Sequence, residues 1–320
     1  MSTFDDVARE AIGSVGTEAS SPLVAQWAAR RYQQLASRAR FRHLRKIGEL
    51  TLPGRINAGT VTTTRGSRTV TGDATAQAAW SQSIVGRYFR ARSVWHKIVS
   101  YDSAAGTFQL SSQSAEESLT AVSYNIVERY VKLPATVKWL GETFVHYRLR
   151  NPLRRLSLVE LDMIAPARDL VGSPPASWTE VEESVDSEGK RVRQVEFYPV
   201  DQNDELLYYV YWETPPLYTL NDELPLNIDD YVLREGVLID IFRYEMGRAL
   251  NTGKAEIAAT WRNEARAQST SWEKNILEAI KSDRGADDVS FILSTIGGGS
   301  AHPTAITNAR DQIYAQGNRP

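Results

Sequence analysis

The segment from Tyr124 to Tyr147 constrains the fold most, because an extended pattern meets a helical pattern there. Before Pro134, apolar side chains fall on both sides of a period-two pattern, which predicts a strand between two layers over residues 122–131. Pro134 lacks a backbone N–H and fixes φ, so it ends the ladder and suits the first turn of a helix. The residues after it recur at helical spacing and predict a helix over 136–149. They are Val137, Leu140, Phe144 and Tyr147.

Residues 48–134 form a β-rich insertion, in which short β-like runs alternate with turns that contain Gly, Asp and Ser. This spacing is typical of a small sandwich or barrel. The predicted strands are Glu49–Leu52, Thr60–Thr64, Thr69–Thr71, Tyr88–Ala91, Val94–Ser100, Thr107–Leu110 and Val122–Val131.

Helices are predicted on both sides of the β-rich parts. Ser2 or Thr3 can cap a short first helix that ends near Gly13 or Gly16, and Ser20–Pro22 opens a second helix that runs to about Lys46. A long helix from Tyr231 to Leu250 carries apolar residues on nearly all sides, which predicts that most of its surface is covered. Gly253 separates it from a last helix that ends near Lys281.

Trp178–Val185, Arg191–Tyr198 and Leu206–Trp212 predict a three-stranded antiparallel meander, at about 177–213. The fold class is therefore α+β: a helical bundle core with a sandwich-like or barrel-like β-insertion, a β-meander and an extended C-terminal tail. The predicted parts are the N-terminal helices (1–47), the insertion (48–134), the core that holds the meander (135–282) and the tail (283–320). The tail has one apolar knot and no core of its own, so it is expected to become ordered on a partner.

Composition narrows the function classes. The net charge of −2 argues against non-specific nucleic-acid binding by the whole chain. The absence of cysteine excludes disulfides and thiolate sites, and it suits a reducing cytosol. No apolar run approaches the roughly 20 residues of a membrane span, and the first residues lack a signal sequence, so we expect neither membrane insertion nor export.

A strongly basic stretch, which we call the arginine segment, covers residues 30–46 and contains no acid. Its side chains suit an acidic protein partner, a second subunit included, or the phosphates of DNA. A solvated face with arginine stems over apolar neighbours is the third interpretation. The candidate contact residues are Arg30, Arg31, Arg38, Arg40, Arg42 and Arg45.

The run from Leu206 to Trp212 is apolar on both faces and rich in tyrosine. Aromatic rings with polar tips suit a core as well as a subunit interface. Both interpretations stay open, and Tyr209 and Tyr211 are the candidates for the interface.

No catalytic motif is present. The four histidines lack metal-ligand spacing, no Gly-rich loop matches a phosphate cradle, and Ser93 and His96 lack the surroundings of a nucleophile and its base. We therefore expect no cofactor, no metal and no enzymatic reaction.

Three places in the chain share an order and spacing that point to one family. The first is Val85-Gly86 before a strand, with Arg129-Tyr130-Val131-Lys132-Leu133-Pro134 at the end of the insertion. The second is Gly172-Ser173-Pro174-Pro175, followed by Glu196-Phe197-Tyr198-Pro199, Tyr208-Tyr209-Val210-Tyr211-Trp212 and Thr214-Pro215-Pro216-Leu217. The third is Leu224-Pro225-Leu226 before the helix from Ile228 to Leu250, which carries Gly236 and Asp240. Over about residues 20–282, this order resembles the head-to-tail adaptor (connector) proteins of tailed bacteriophages.

The resemblance implies a structural ring subunit, a dodecamer by analogy, in the virion neck and assembled in the host cytoplasm. Its implied partners are other copies of itself, the portal protein and a tail, stopper or nozzle protein, with transient contact with DNA in the channel. The tail would dock on the portal through its apolar side chains. These are Val289, Phe291, Ile292, Leu293, Ile296, Ile306 and Tyr314.

Two other functions compete with this hypothesis. One is a tail-proximal ring, such as a stopper or tail-tube subunit. The other is a DNA-binding module that uses the arginine segment, for which a steep salt dependence of duplex affinity is expected.

Overall fold

The computed structural model describes residues 2–168, 174–185, 188–199, 203–219, 221–225 and 229–283. It confirms a mixed α and β chain, with 36% helix and 30% strand. The chain divides into two compact units. Of the described residues, the first unit joins those up to Lys46 to those from Trp212 to Asp283, and the second runs from Ile47 to Tyr211. The boundary predicted at 134–135 therefore falls inside the second unit.

The described residues form six α-helices and fourteen strands. The helices are α1 (Phe4–Val15), α2 (Ser21–Ala36), α3 (Ala74–Ala79), α4 (Leu158–Ile164), α5 (Asp230–Asn251) and α6 (Ala255–Ser282). The first seven strands are β1 (Arg45–Leu52), β2 (Val61–Thr63), β3 (Thr69–Gly72), β4 (Tyr88–Arg90), β5 (His96–Asp102), β6 (Thr107–Leu110) and β7 (Leu119–Val122). The others are β8 (Asn125–Val127), β9 (Tyr130–Lys132), β10 (Val137–His146), β11 (Arg154–Arg155), β12 (Ser177–Val185), β13 (Arg191–Tyr198) and β14 (Glu205–Glu213).

In the first unit, α1, α2 and α5 pack against one another and α5 packs against α6. Local signals fix most of their ends, and the predicted cap at Thr3, the end at Gly16 and the break at Gly253 are confirmed. Thr3 makes a capping box with Asp6 at the start of α1, and Gly16 closes that helix in the left-handed region at φ 70°. Asp229 caps α5, and Gly253 follows it with φ 72°.

The second helix is shorter than predicted. It ends at Ala36, where the Ser37 hydroxyl donates to the Gln34 carbonyl, and the chain continues through a 3₁₀ turn at Arg42–Leu44 into β1. The prediction of a helix to Lys46 is therefore wrong. Serine competes with the backbone for its own hydrogen bonds, so the stop is encoded there without a glycine or proline.

Seven strands of the second unit form one curled sheet, in the order β7-β2-β3-β6-β5-β4-β8. The strands predicted in the insertion are confirmed in position, except that the long strand predicted over 122–131 is wrong. That stretch contains parts of three short strands. Ile126 belongs to the core of the curled sheet, whereas Val131 on β9 belongs to a different core. Its apolar residues fall on both sides of the pattern because the first ones pack into the core of the curled sheet and the last ones pack into the other core.

A four-stranded sheet follows the order β11-β12-β13-β9, and a three-stranded sheet follows the order β1-β14-β10. The hairpin of β12 and β13 is confirmed, but the predicted meander is wrong in its last strand. Residues of β9 already occupy the free edge of β13, with Val195 opposite Val131. Strand β14 therefore pairs between β1 and β10 instead.

The helix predicted over 136–149 is also wrong, because Val137–His146 is strand β10. Phe144 packs edge-on against Trp178 at 4.8 Å and Phe197 at 5.0 Å between ring centroids, and it stacks on Tyr209 at 5.1 Å. The residues from Thr143 to His146 are buried in succession, which a strand achieves only with a neighbour on both faces. Their β-branched and aromatic side chains favour that state.

Candidate partner-binding surface

The arginine segment begins on α2, passes through the 3₁₀ turn and ends in β1, so it is not one helical face. Arg31 is buried and makes two bonds of 2.7 Å to the Asp240 carboxylate on α5. Its guanidinium also lies 4.7 Å from the centre of the Trp272 ring. A buried arginine with two matched bonds holds helices together, so Arg31 is a structural residue of the first unit.

Several other arginines of the segment lie over tryptophan rings. Arg38 pairs with Glu273 at 2.5 Å and lies 5.4 Å from the centre of the Trp272 ring. On the second tryptophan, Trp212, the guanidinium of Arg40 lies at 5.0 Å and that of Arg45 at 5.7 Å. Such contacts attract the cation to the electron-rich ring face. They support the interpretation that arginine stems cover apolar neighbours.

Two arginines still present their charge outward. Arg30 and Arg40 are exposed, and no carboxylate within the described ranges pairs with either of them. The backbone N–H of Arg42 donates to the Asp283 carboxylate at 2.6 Å, and Lys46 lies 3.6 Å from Glu213. The chain's own acids therefore balance much of the segment, and contact with an acidic partner stays a prediction for the exposed part.

His43 lies inside this segment, and its Nε2 is 2.8 Å from the Tyr32 hydroxyl. Burial lowers the pKa of His43 to about 4, and the nearby Lys46 charge acts in the same direction. The neutral ring can accept the Tyr32 proton at Nε2, which protonation would prevent. His43 therefore supports the fold only while it is uncharged.

We expect the melting temperature to fall as the pH is lowered from 6.5 toward about 4, because the unfolded chain then binds more protons at His43 than the folded chain. His43→Gln should reduce this fall, measured as the difference between wild-type and variant across the window. Burial lowers the pKa of His96 as well, so part of the dependence should remain. If the melting temperatures of the two proteins fell by the same amount over this pH range, His43 would not be the titrating group.

The two tyrosines proposed for an interface occupy different places. Tyr209 is 1% exposed and packs inside the core of the second unit, which supports the core interpretation for its side chain. Tyr211 is partly buried against the same core, at 5.6 Å from the Tyr209 ring. Tyr211 thus keeps some surface for a contact, whereas Tyr209 does not.

The residues predicted to dock on the portal lie outside the described residues. They are Val289, Phe291, Ile292, Leu293, Ile296, Ile306 and Tyr314. Their role stays a prediction from the sequence.

The serine and the histidine that lie close together in the sequence, Ser93 and His96, bind different partners. Ser93 Oγ donates to Glu116, whereas His96 Nδ1 lies 3.0 Å from Ser112 Oγ, so these two do not act as a nucleophile and its base. No group of three or more potential metal ligands occurs in the described ranges. Among these residues, no helix is both long and apolar enough to cross a bilayer.

Sequence reasoning missed a buried charge network in the second unit. Glu196 is 1% exposed, and its Oε1 accepts from Arg129 at 2.8 Å and from Arg168 at 3.1 Å. Arg168 is 2% exposed and also binds Asp162 at 2.5 Å. Arg129, Arg168 and Glu196 lie far apart in the sequence, so no local spacing could have indicated the network.

Comparison with protein-family models returned no match, and comparison with curated proteins returned none either.

Proposed function

We propose that the protein is a structural head-to-tail adaptor of a tailed phage virion, which forms a ring beneath the portal and leaves a channel for DNA. The observation that supports this proposal is the apolar surface that is exposed on the described residues. Met163 is 79% exposed, Val159 68% and Leu217 84%. Side chains of this kind are typical of surfaces that other protein chains cover.

In the proposed ring, a dodecamer by analogy, the helices of the first unit act as a bundle that forms the wall. The β-insertion, as a sandwich or barrel, projects outward or toward the tail. The segment from residue 283 to 320 reaches the portal, and a tail, stopper or nozzle protein binds the opposite side. The protein acts by fitting its neighbours in the virion neck, without a cofactor and without a reaction.

Removing residues 284–320 should abolish attachment to portal particles, because the apolar knot and the residues after it are the proposed contact. The main fold should persist, since α6 and the elements before it end by Asp283. Co-sedimentation of the purified protein with portal particles measures attachment, and circular dichroism with a melting curve measures folding.

Phe291→Ser with Leu293→Ser in the full chain gives a matched test that keeps the tail length. It should weaken attachment strongly, whereas Ser290→Ala should leave attachment unchanged. Normal docking of the truncated protein would overturn the assignment of the tail. Retention of the protein on tails and its absence from tail-less heads would instead favour the tail-proximal ring.

A further inference from the structure

Helix α4 shows apolar side chains to solvent although it is well formed. Ser157 and Glu160 make a capping box at its start, and Leu161 is 0% exposed and packs with Tyr198. Val159 and Met163 lie on the opposite side of the helix, with exposed fractions of 68% and 79%, and Leu158 and Ile164 flank Leu161, with exposed fractions of 41% and 63%. We call these four residues the α4 surface. An exposed helical face of this kind is typical of a docking site.

An open strand edge lies beside the α4 surface. Strand β11 pairs with β12 only at Ser177 and Trp178, and no other described strand pairs with β12 on that side. The edge from Thr179 to Ser184 therefore has no strand partner among the described residues, whereas the Val185 carbonyl accepts from Lys132 Nζ at 2.8 Å. A hollow of about 340 Å³ joins the edge to the start of α4, and its lining residues are Arg155, Leu156, Ser157, Leu158, Thr179 and Glu180.

A rigid basic turn precedes β11. The backbone of buried His146 accepts from the Arg150 N–H at 2.8 Å and donates to the Asn151 carbonyl at 3.0 Å. Its ring accepts from the Leu149 N–H at 3.1 Å and binds Glu205 at 2.8 Å. The turn thus holds Arg148 and Arg150 in exposed positions, with exposed Arg154 just after it.

These three arginines differ from those of the arginine segment. Within the described part of the chain, no carboxylate lies within salt-bridge distance of Arg148, Arg150 or Arg154, although Arg154 interacts electrostatically with the Glu160 carboxylate. An ordered turn that presents the guanidinium groups of Arg148 and Arg150 without a carboxylate partner in the described residues fits carboxylates on a partner. The surface therefore combines three features: positive charge, an open strand edge and an apolar helix.

We propose that this composite surface binds the segment Asp287–Ile296 of the protein itself. The segment begins with the acidic pair Asp287 and Asp288 and continues as VSFILSTI, which is uncharged and rich in β-branched and aromatic residues. The acidic pair complements the arginine turn. The apolar part has the composition of a strand that can add to the β12 edge and cover the α4 surface.

This inference goes beyond the proposed function and describes the protein before it meets the portal. An apolar segment that later binds a partner exposes the free protein to aggregation unless something covers it. Binding of the segment to the composite surface removes the apolar side chains of both from water. Portal particles then compete for the same residues.

The chain has no cysteine, so cysteine pairs can report the contact in the full-length protein. Met163→Cys combined with Ser290→Cys should form a disulfide under mild oxidation. The yield should be about tenfold higher than for Val99→Cys with Ser290→Cys, because docking raises the local concentration of the two thiols. Val99 is a matched control, since it is 50% exposed on β5. An internally closed monomer and a covalent dimer both place the segment on the α4 surface, and equal yields for the two pairs would overturn the proposal.

A second measurement tests the charge. Arg148→Gln, Arg150→Asn and Arg154→Gln together should lower the yield of the 163–290 disulfide several-fold, and added salt should do the same. Asparagine is chosen at position 150 because Arg150 has φ 53°, which asparagine tolerates. Arg30→Gln with Arg40→Gln is the control and should not change the yield. Loss of portal attachment in the truncated protein without any disulfide at 163–290 would refute this inference while leaving the adaptor function in place.

Discussion

Replacing Glu196 with alanine is expected to lower the free energy of unfolding by about 3–5 kcal/mol. Glu196 is the carboxylate on which Arg129 and Arg168 converge, at 2.8 Å and 3.1 Å. Both Glu196 and Arg168 have side chains that are 2% exposed, so water cannot replace the lost partner. The cost arises chiefly because Arg168 stays buried with part of its charge unbalanced.

Urea unfolding followed by tryptophan fluorescence measures this change. Glu196→Gln keeps an acceptor oxygen but removes the negative charge, so it should cost less than the alanine variant. Glu183→Ala is the matched control, because this carboxylate is 57% exposed and lies 3.8 Å from Arg191. Its loss should change the free energy by less than about 1 kcal/mol. Similar losses for Glu196→Ala and Glu183→Ala would show that the buried network does not stabilise the fold.

The parts of the fold that the sequence predicted well depend on neighbours in the chain. The Thr3 cap, the left-handed Gly16 and the break at Gly253 act within a few residues, so their patterns can be read directly. The same holds for the hairpin of β12 and β13, whose turn joins strands of matching pattern.

The parts that could not be predicted depend on pairing between distant residues. The side chains of β10 follow a helical period, yet Phe144 is buried by Trp178, Phe197 and Tyr209, which come from three later strands. β14 looked like the third strand of a meander because nothing local shows that β9 already covers the edge of β13. Long-range pairing overrides local period in both cases.

In the candidate surfaces, too, local features could be predicted and features that depend on distant residues could not. The positive charge of the arginine segment is visible in the sequence, but its neutralisation is not, because Asp240 and Glu273 lie more than 200 positions after their partners. The α4 surface was overlooked for a related reason. Apolar residues of a helix look alike in sequence whether they are buried or exposed, and only the packing of Leu161 shows which side of α4 faces the core.

Replacing Trp272 with alanine is expected to lower the free energy of unfolding by about 3–5 kcal/mol. Its ring is 2% exposed on α6 and faces Gly236 of α5. Arg31 and Arg38 also lose the aromatic face over which their guanidiniums lie. Leu277→Ala on the same helix is the matched control, because Leu277 is 58% exposed and should contribute little.

The substitution Gly236→Ala tests the same contact more sharply, because its effect on the free energy of unfolding should have opposite signs in the wild-type protein and in the Trp272→Ala variant. A Cβ at Gly236 would lie 2.8 Å from Trp272 Nε1 and 2.9 Å from Cε2, so Gly236→Ala should destabilise the wild-type protein. In the Trp272→Ala background the nearest remaining neighbour is Arg31 Cδ at 3.3 Å, which has to move by only a few tenths of an ångström into the space that the ring leaves. There the higher helix propensity of alanine, about 1 kcal/mol, should make the same substitution stabilising. A double-mutant cycle gives a coupling energy only for residues that interact. Destabilisation of equal size in both backgrounds would therefore mean that Gly236 and Trp272 are not coupled, and that their contact does not set the close approach of α5 and α6.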